Sequence, residues 1–443
     1  MREERRGFVQ SVLIIYYGVK IMKVTILTLG TRGDVQPYIA LAREMIKNGH
    51  EVVICTGATF QRFIEENKVS FHPAATDLMA IMESEEGRDI LNGKRFSPIK
   101  IMKYSKEKIA PSYRKSMDDF YQASQGADLI IYHPKALGAV DIALYYHIPC
   151  ICLPPVPIMY PITEFPNFSL SSKQSFGPTL NRLSYKIVKF SEYPFMKEIN
   201  DFREQTLKFA KRKAGLYTYD VNGAPIPMIY PISPFLFKEV ESWKGSVCLP
   251  GFFFLDVEEE VLPNEIENFL EKGKKPIVVS FSSMPLKSPS IFKQKLVQAL
   301  KETNNRAIVL TGTSGMKFNQ QENILAVKGA SHRLLFKRAK GIIHHGGVGT
   351  MSEALLSGVP QIIIPFTVDQ PFWANLLYKK GYSLKPLQEK NLQVFELVQA
   401  LEQVENKEYI ENAQQIKSII QSENGVYQAV KHIESVVHKL RDK

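Results

Sequence analysis

Short apolar runs alternate with amphipathic stretches along this chain, and that alternation limits its architecture more than any other feature. Lys23 to Leu29 reads as a strand, Gln36 to Asn48 as a helix stopped by Gly49, and Glu51 to Thr56 as the next strand. The pattern returns with Asp128 to Tyr132, a helix through Ala136 to Tyr146, and Pro149 to Leu153. It restarts at Pro276 to Phe281, with a helix near Ile291 to Glu302 and a strand at Arg306 to Thr311. Apolar strands joined by helices belong to parallel sheets covered on both faces. At 443 residues the chain exceeds what one core fills, so two α/β domains of roughly 200 residues each are expected.

The irregular stretch from Pro154 to Pro234 is rich in proline and aromatics, and Ser233 to Pro263 mixes Pro, Gly and acidic residues as a linker does. The expected division is an extension over 1–21, a first domain over 22–235, a linker over 236–262, a second domain over 263–425 and a terminal helical segment over 426–443. In the extension, Met1 to Arg6 is charged and Phe8 to Val19 largely apolar, too short a run to span a bilayer. It reads either as a stretch upstream of a start at Met22 or as an amphipathic surface anchor.

Hydrophobic content of 44% and charged content of 23% are those of a globular protein. The net charge of +11 is spread over lysine patches such as Lys208 to Lys213 and Lys272 to Lys275, which read as solvated faces with a weak peripheral attraction to membranes. No arginine stripe interleaved with aromatics is present, so nucleic acid is not an expected partner. Cys55, Cys150, Cys152 and Cys248 sit in apolar runs without the spacing of a metal site. They read as buried reduced thiols, which suits a cytoplasmic location.

Two strand ends carry the chemistry of the second half. Gly341-Ile342-Ile343 reads as a buried strand, Thr350 to Leu356 as a helix closed by Gly358, and between them lies His344-His345-Gly346-Gly347-Val348-Gly349. Glycines let a backbone approach a ligand closely, free N–H groups at a helix start attract anions, and a histidine there adds a charge-assisted hydrogen bond. Capture of a diphosphate is the implied chemistry, against the plainer reading of a turn that only packs tightly. After the next strand, Gln361 to Ile364, come Asp369 and Gln370, polar groups suited to sugar hydroxyls. Open α/β sheets bind ligands outside such strand ends. In the first half, Asp34 of Gly30-Thr31-Arg32-Gly33-Asp34 follows a strand and precedes a helix. It reads equally as a helix N-cap or as a group facing a cleft. A dinucleotide fingerprint is absent there, since the third glycine is missing.

The segment from His344 to Trp373 resembles the donor signature of family-1 glycosyltransferases. Leu29 to Leu41 is a second match, and Pro134-Lys135-Ala136-Leu137 through Pro154-Pro155-Val156-Pro157 to Thr163-Glu164-Phe165-Pro166 is a third. Sterol glucosyltransferases and bacterial lipid or natural-product glycosyltransferases are the most similar branch. The resemblance implies the GT-B fold, two Rossmann-like domains facing each other across a cleft, with the terminal helix returning to the first. It implies transfer of a hexose, glucose from UDP-glucose, with inversion, onto a hydroxyl of a sterol, lipid, flavonoid or other natural product. Asp34 is then the catalytic base. Ser283, His332, His345, Gly347, Gly349, Thr350, Glu353, Asp369 and Gln370 hold the donor, with Glu353 on the ribose and Asp369 and Gln370 on the sugar.

Tyr160, Glu164, Phe165 and His133 are the acceptor candidates, although each aromatic also suits ordinary core packing and His133 a satisfied core histidine. No metal or resident cofactor is expected, the helix start and His345 stabilising the departing diphosphate. This chain departs from the family at Ser282, where a glycine is usual, and at Ser331-His332-Arg333-Leu334-Leu335-Phe336, where sterol-type members read Pro-His-Asp-Trp-Leu-Phe. The base-stacking tryptophan of plant members is matched by Gly329. The alternatives are a nucleotide-sugar 2-epimerase and a non-catalytic nucleotide-sugar-binding protein.

Overall fold

Two parallel sheets organise the chain, each laid down by the strand–helix alternation. The computed structural model describes residues 21–84, 103–171, 175–216, 218–256, 261–281, 285–319, 322–366 and 369–441. The extension 1–20, Ser282 and the candidate Ser283 lie outside these. The strands are β1 (Lys23–Leu27), β2 (Glu51–Gly57), β3 (Ser70–Ala74), β4 (Leu129–Tyr132), β5 (Cys150–Cys152), β6 (Met228–Ile229), β7 (Val247–Cys248), β8 (Ile277–Ser280), β9 (Ala307–Leu310), β10 (Ile324–Val327), β11 (Gly341–His344) and β12 (Gln361–Ile363). The first sheet runs β3-β2-β1-β4-β5-β6-β7 and the second β10-β9-β8-β11-β12, so the winding reverses between β1 and β4 and between β8 and β11. Those reversal points are where open α/β sheets leave a crevice.

The helices that position the site are α1 (Arg32–Lys47), α2 (Ala110–Ala123), α3 (Ala139–Tyr146), α4 (Pro178–Ser184), α5 (Met196–Gln205), α6 (Pro289–Glu302), α7 (His332–Phe336), α8 (Val348–Ser357), α9 (Gln370–Lys379), α10 (Val394–Gln403), α11 (Lys407–Glu423) and α12 (Gly425–Arg441). α1 begins four residues before the sequence suggests, because Thr31 caps it and Asp34 completes a capping box. Its buried face, Val35, Tyr38, Ile39, Ala42 and Met45, shares a cluster with Ala429, Val430, Ile433 and Val437 of α12. The terminal helix therefore packs on the first domain.

β7 lies inside the stretch 236–262 read as linker, and it pairs in parallel with β6 through Met228↔Val247 and Ile229↔Cys248. Two-residue strands leave no periodic signature, so the first sheet extends further along the chain than the sequence suggests. Met351, Phe372 and Trp373 of the second domain share one apolar cluster with Tyr132, Phe168 and Phe237 of the first. All four cysteines are free, and burial pushes the Cys150 and Cys248 thiols up to about 12 and 11. No helix among the described residues is long and apolar enough to cross a membrane.

Candidate active site

On the first domain, Asp34 is the third residue of α1 rather than the N-cap, so the cap alternative takes a different form from the one expected. Its Oδ2 accepts the Thr31 N–H at 2.8 Å, the Thr31 hydroxyl at 3.1 Å and the Lys135 ammonium at 2.9 Å. Its Oδ1 lies 3.1 Å from His133 Nε2. His133 Nδ1 accepts the backbone N–H of Lys135 at 2.9 Å, which leaves the ring proton on Nε2, facing Asp34. Burial alone would raise the Asp34 carboxyl. Lys135 first, then His133 and the Thr31 N–H, hold it well below the usual carboxylate range. Burial lowers His133, so the ring is a neutral donor. Asp34 is thus ionised, and Oδ1 keeps one lone pair. Because His133 follows β4 and Asp34 follows β1, both stand at the reversal point of the first sheet.

The glycine turn stands at the corresponding point of the second sheet. His344 pins it from beneath: Nδ1 accepts the Gly346 N–H at 3.0 Å, and Nε2 lies 2.7 Å from Gln361 Oε1. Gly346 has φ +85°, and a Cβ there would meet Ile363 Cγ2 at 2.8 Å, so only glycine fits. A Cβ on Gly347 would run into the His345 ring, whereas the space over Gly349 is open for 4 Å. Thr350 is buried in the first turn of α8. His345 Nδ1 is buried without a partner among the described residues. Burial, with His344 and His332 adding to it, pushes His345 down to about 3. His345 is therefore a neutral imidazole, and the charge in the expected bond to a diphosphate would come from the phosphate alone. Burial, with the charges of His344 and Arg32 adding to it, pushes His332 down to about 4, its Nε2 2.9 Å from Ser280 Oγ and its ring stacked on Phe336.

Asp369 Oδ2 accepts the Trp373 indole N–H at 2.8 Å, and Gln370 Oε1 accepts the Phe366 N–H at 2.9 Å. Burial raises the Asp369 carboxyl against the Trp373 hydrogen bond, and the charge of Asp34 adds to the rise. The charges of these two groups, one from each domain, are therefore near enough to act on each other. Glu353 does not stand open. Arg333 holds both its oxygens, Nε at 2.7 Å and Nη2 at 2.9 Å, while Arg333 Nη1 reaches Asp256 at 2.7 Å and its plane lies over Phe254. The ribose site expected at Glu353 is occupied by an ion pair in this structure. Among the described residues no three His, Cys, Asp or Glu side chains gather to hold a metal ion.

The structure gives each of the acceptor candidates partners within the protein. Glu164 accepts from Ser242 N, Ser242 Oγ and Thr163 N at 2.9, 2.7 and 3.0 Å. Burial raises its carboxyl, but these bonds outweigh that, with the Ser242 hydroxyl foremost, and hold it low. It staples its own loop. Phe165 packs on Phe372 of the second domain at 5.1 Å, and Phe168 stacks on the same ring at 4.6 Å. The half-buried Phe165 and the buried Phe168 thus line the domain interface. Tyr160 donates its backbone N–H to the Tyr230 hydroxyl at 2.8 Å. His133 adjoins Asp34. Beside Pro134, Leu137 and Met159 remains a cavity of about 20 Å³, room for one water molecule.

Residues 24–121 match the glycosyltransferase family 28 N-terminal domain, and residues 312–435 the erythromycin biosynthesis protein CIII-like C-terminal domain. Solved structures share the fold: the glycotransferase of kitacinnamycin at TM-score 0.70 and 16% identity over 94% of this chain and 99% of that one, and SnogD from Streptomyces nogalater at 0.65 and 16% over 94% and 100%. Sterol 3-beta-glucosyltransferase UGT80A2 of Arabidopsis thaliana is 30% identical over 95% of this chain and 67% of its own length. UGT80B1 of the same plant is 31% identical over 92% and 67%.

This chain belongs to the sterol 3-beta-glucosyltransferase family.

As a member it is a glycosyltransferase of the GT-B fold, and the epimerase alternative falls away. It spans about a third of the longer fungal relatives, 33% in that of Pichia angusta. Three participants escaped the sequence analysis. His344 was the nearest to legible, since a histidine at a strand end before a positive-φ glycine is placed to catch that glycine's N–H. Lys135 and Arg333 join partners 101 and 20 residues away, and no local spacing encodes such pairs.

Proposed function

We propose that this glycosyltransferase moves glucose from UDP-glucose to a hydroxyl of a lipophilic acceptor, a sterol first among them, with inversion and without a metal ion. One observation carries the reading: an ionised carboxylate with a lone pair to spare, Asp34, stands at the reversal point of the first sheet, and its charge acts on Asp369 of the second domain. The acceptor hydroxyl gives its proton to Asp34 Oδ1 as its oxygen bonds to the anomeric carbon. The bond from that carbon to the diphosphate oxygen breaks, and its electron pair leaves with UDP. A single displacement leaves no sugar on the protein, so the configuration inverts. The N–H groups starting α8 and the neutral His345 meet the developing phosphate charge. Asp369 and Gln370 orient the sugar hydroxyls. The ribose competes with Arg333 for Glu353. The names of the plant relatives support the acceptor class, and a peripheral contact with the membrane holding such an acceptor belongs to the same reading.

The test is the purified chain with UDP-glucose and a panel of sterols and diacylglycerol, the products read by mass spectrometry and by NMR of the anomeric linkage. A β-glucoside is expected, and Asp34→Asn should lower kcat/KM on the order of a thousandfold while calorimetry shows UDP binding retained. A retained anomeric configuration, or near-full turnover by Asp34→Asn, would sink the proposal.

A further inference from the structure

Among the described residues at 170–171 and 175–193, six large apolar side chains stand in solvent: Leu170, Phe176, Leu180, Leu183, Phe190 and Tyr193. Leu180 and Phe190 are each 57% exposed and Tyr193 52%. Single exposed apolar residues are ordinary, but such a run marks a surface that something covers. On α4, Leu180 and Leu183 share a face by their spacing, while Asn181 between them is buried. The turn Tyr185–Ser191 then presents Phe190, whose ring lies 5.3 Å from that of Tyr193.

Basic side chains are interleaved with these rings. Arg182 and Lys186 are exposed, and the Lys189 ammonium stands 5.7 Å over Phe190. Among the described residues no carboxylate pairs with any of the three. Glu192, the acidic residue of the same turn, is buried and bound to Arg212 at 3.0 Å. The face is therefore apolar and positively charged, as an amphipathic segment lying in the headgroup region of an anionic bilayer must be.

The segment is also tied to the loop that flanks the active site. Asn181 Nδ2 donates to the Thr163 carbonyl at 2.8 Å, Ser184 Oγ accepts the Asn167 N–H at 2.7 Å, and the Tyr185 hydroxyl donates to the Phe165 carbonyl at 3.4 Å. Phe165 and Phe168 in turn rest on Phe372, next to the Trp373 that holds Asp369.

We infer that Leu170 and residues 175–193 form a docking surface for an anionic phospholipid bilayer, from which a lipophilic acceptor reaches the cleft. The purpose of the surface rests on the proposed acceptor class, but its existence is read without any acceptor, so the two can fail separately. The full chain is sedimented with vesicles of phosphatidylcholine alone and of phosphatidylcholine mixed with phosphatidylglycerol. Stronger binding to the mixed vesicles is expected, weakened by salt. Leu180→Asp with Phe190→Asp should reduce it at least about tenfold, with melting temperature, UDP binding and transfer to a detergent-dispersed acceptor unchanged. Arg182→Glu with Lys186→Glu should abolish the preference for anionic vesicles, each basic side chain contributing about fivefold. Wild-type sedimentation by either variant would overturn the assignment. So would a dimer of the full chain in solution that the Leu180→Asp, Phe190→Asp variant dissolves, since a second copy would then be what covers the face.

Discussion

Asp34 serves two ends at once, and its oxygens divide them. Oδ2 closes the capping box and takes the Lys135 ammonium, while Oδ1 receives one bond from His133 and remains open to a substrate proton. Among the influences that hold the carboxyl low, Lys135 is the largest. Lys135→Met should let the Asp34 pKa climb, moving the acidic limb of kcat/KM upward by about one unit or more, with UDP affinity retained. An unmoved limb would show that Lys135 does not act through Asp34. The linked stability has the same sign: a depressed carboxyl stabilises the fold above its unfolded value near 3.9, and that is lost as pH falls. Lys135→Met should therefore destabilise at neutral pH and little in acid. Asp34, His345 and Asp369 were legible because each follows an apolar run at a strand end, a position local pattern can mark. His133, at the end of the next strand, could be placed as a neighbour of Asp34 in the same way, whereas Lys135 could not, since it reaches Asp34 only when β4 lies beside β1.

At the scale of elements, the turn from β11 into α8 is built so that three glycines do three different things. Gly346 takes a positive φ, Gly347 makes room for the His345 ring, and Gly349 leaves open space above the first turn of α8. If that space is where the diphosphate sits, stability and binding should separate. Gly349→Ala adds a better helix former, worth up to about 1 kcal/mol, so thermal melting should hold or rise. UDP affinity should fall about tenfold, on the order of one hydrogen bond. Gly347→Ala should lose both, because its methyl displaces His345. Equal UDP affinity for Gly349→Ala and the parent would remove the diphosphate from this turn. The strands beside the turn were readable as four-residue apolar runs buried on both faces. β6 and β7 were not, being two residues each in a Pro-rich stretch whose pairing is decided by the neighbouring β5 rather than by their own pattern.

The whole molecule is held by a crossing of two connections. Where the first domain leaves for the second, Gly251 and Phe252 lie against Gly425, whose Cβ would stand 2.5 Å from the Gly251 carbonyl carbon and the Phe252 oxygen. There α11 ends at Asn424, in a left-handed conformation, and α12 starts back across the first domain. Asp256, further along the same connection, is bonded by Arg43 of the first domain and by Arg333 of the second. Beside the crossing, Glu423 Oε1 accepts the Ser233 hydroxyl, while Oε2 is buried without a partner among the described residues. Burial pushes this carboxyl up to about 7, against the hydrogen bonds of the Ser233 hydroxyl and the Phe235 backbone. A raised carboxyl makes its full contribution to stability below its unfolded value of 4.5 and loses it as pH rises through 7. Glu423→Gln keeps an acceptor for Ser233 and carries no charge, so it should match the parent near pH 5 and exceed it near pH 8. Discounted for partial exposure, the gain should be about 1–2 kcal/mol, seen as a melting temperature higher by roughly 2–4 °C. Equal melting at both pH values would mean that the carboxyl is not desolvated at the crossing. Loss at both would mean that the charge itself holds the two connections together.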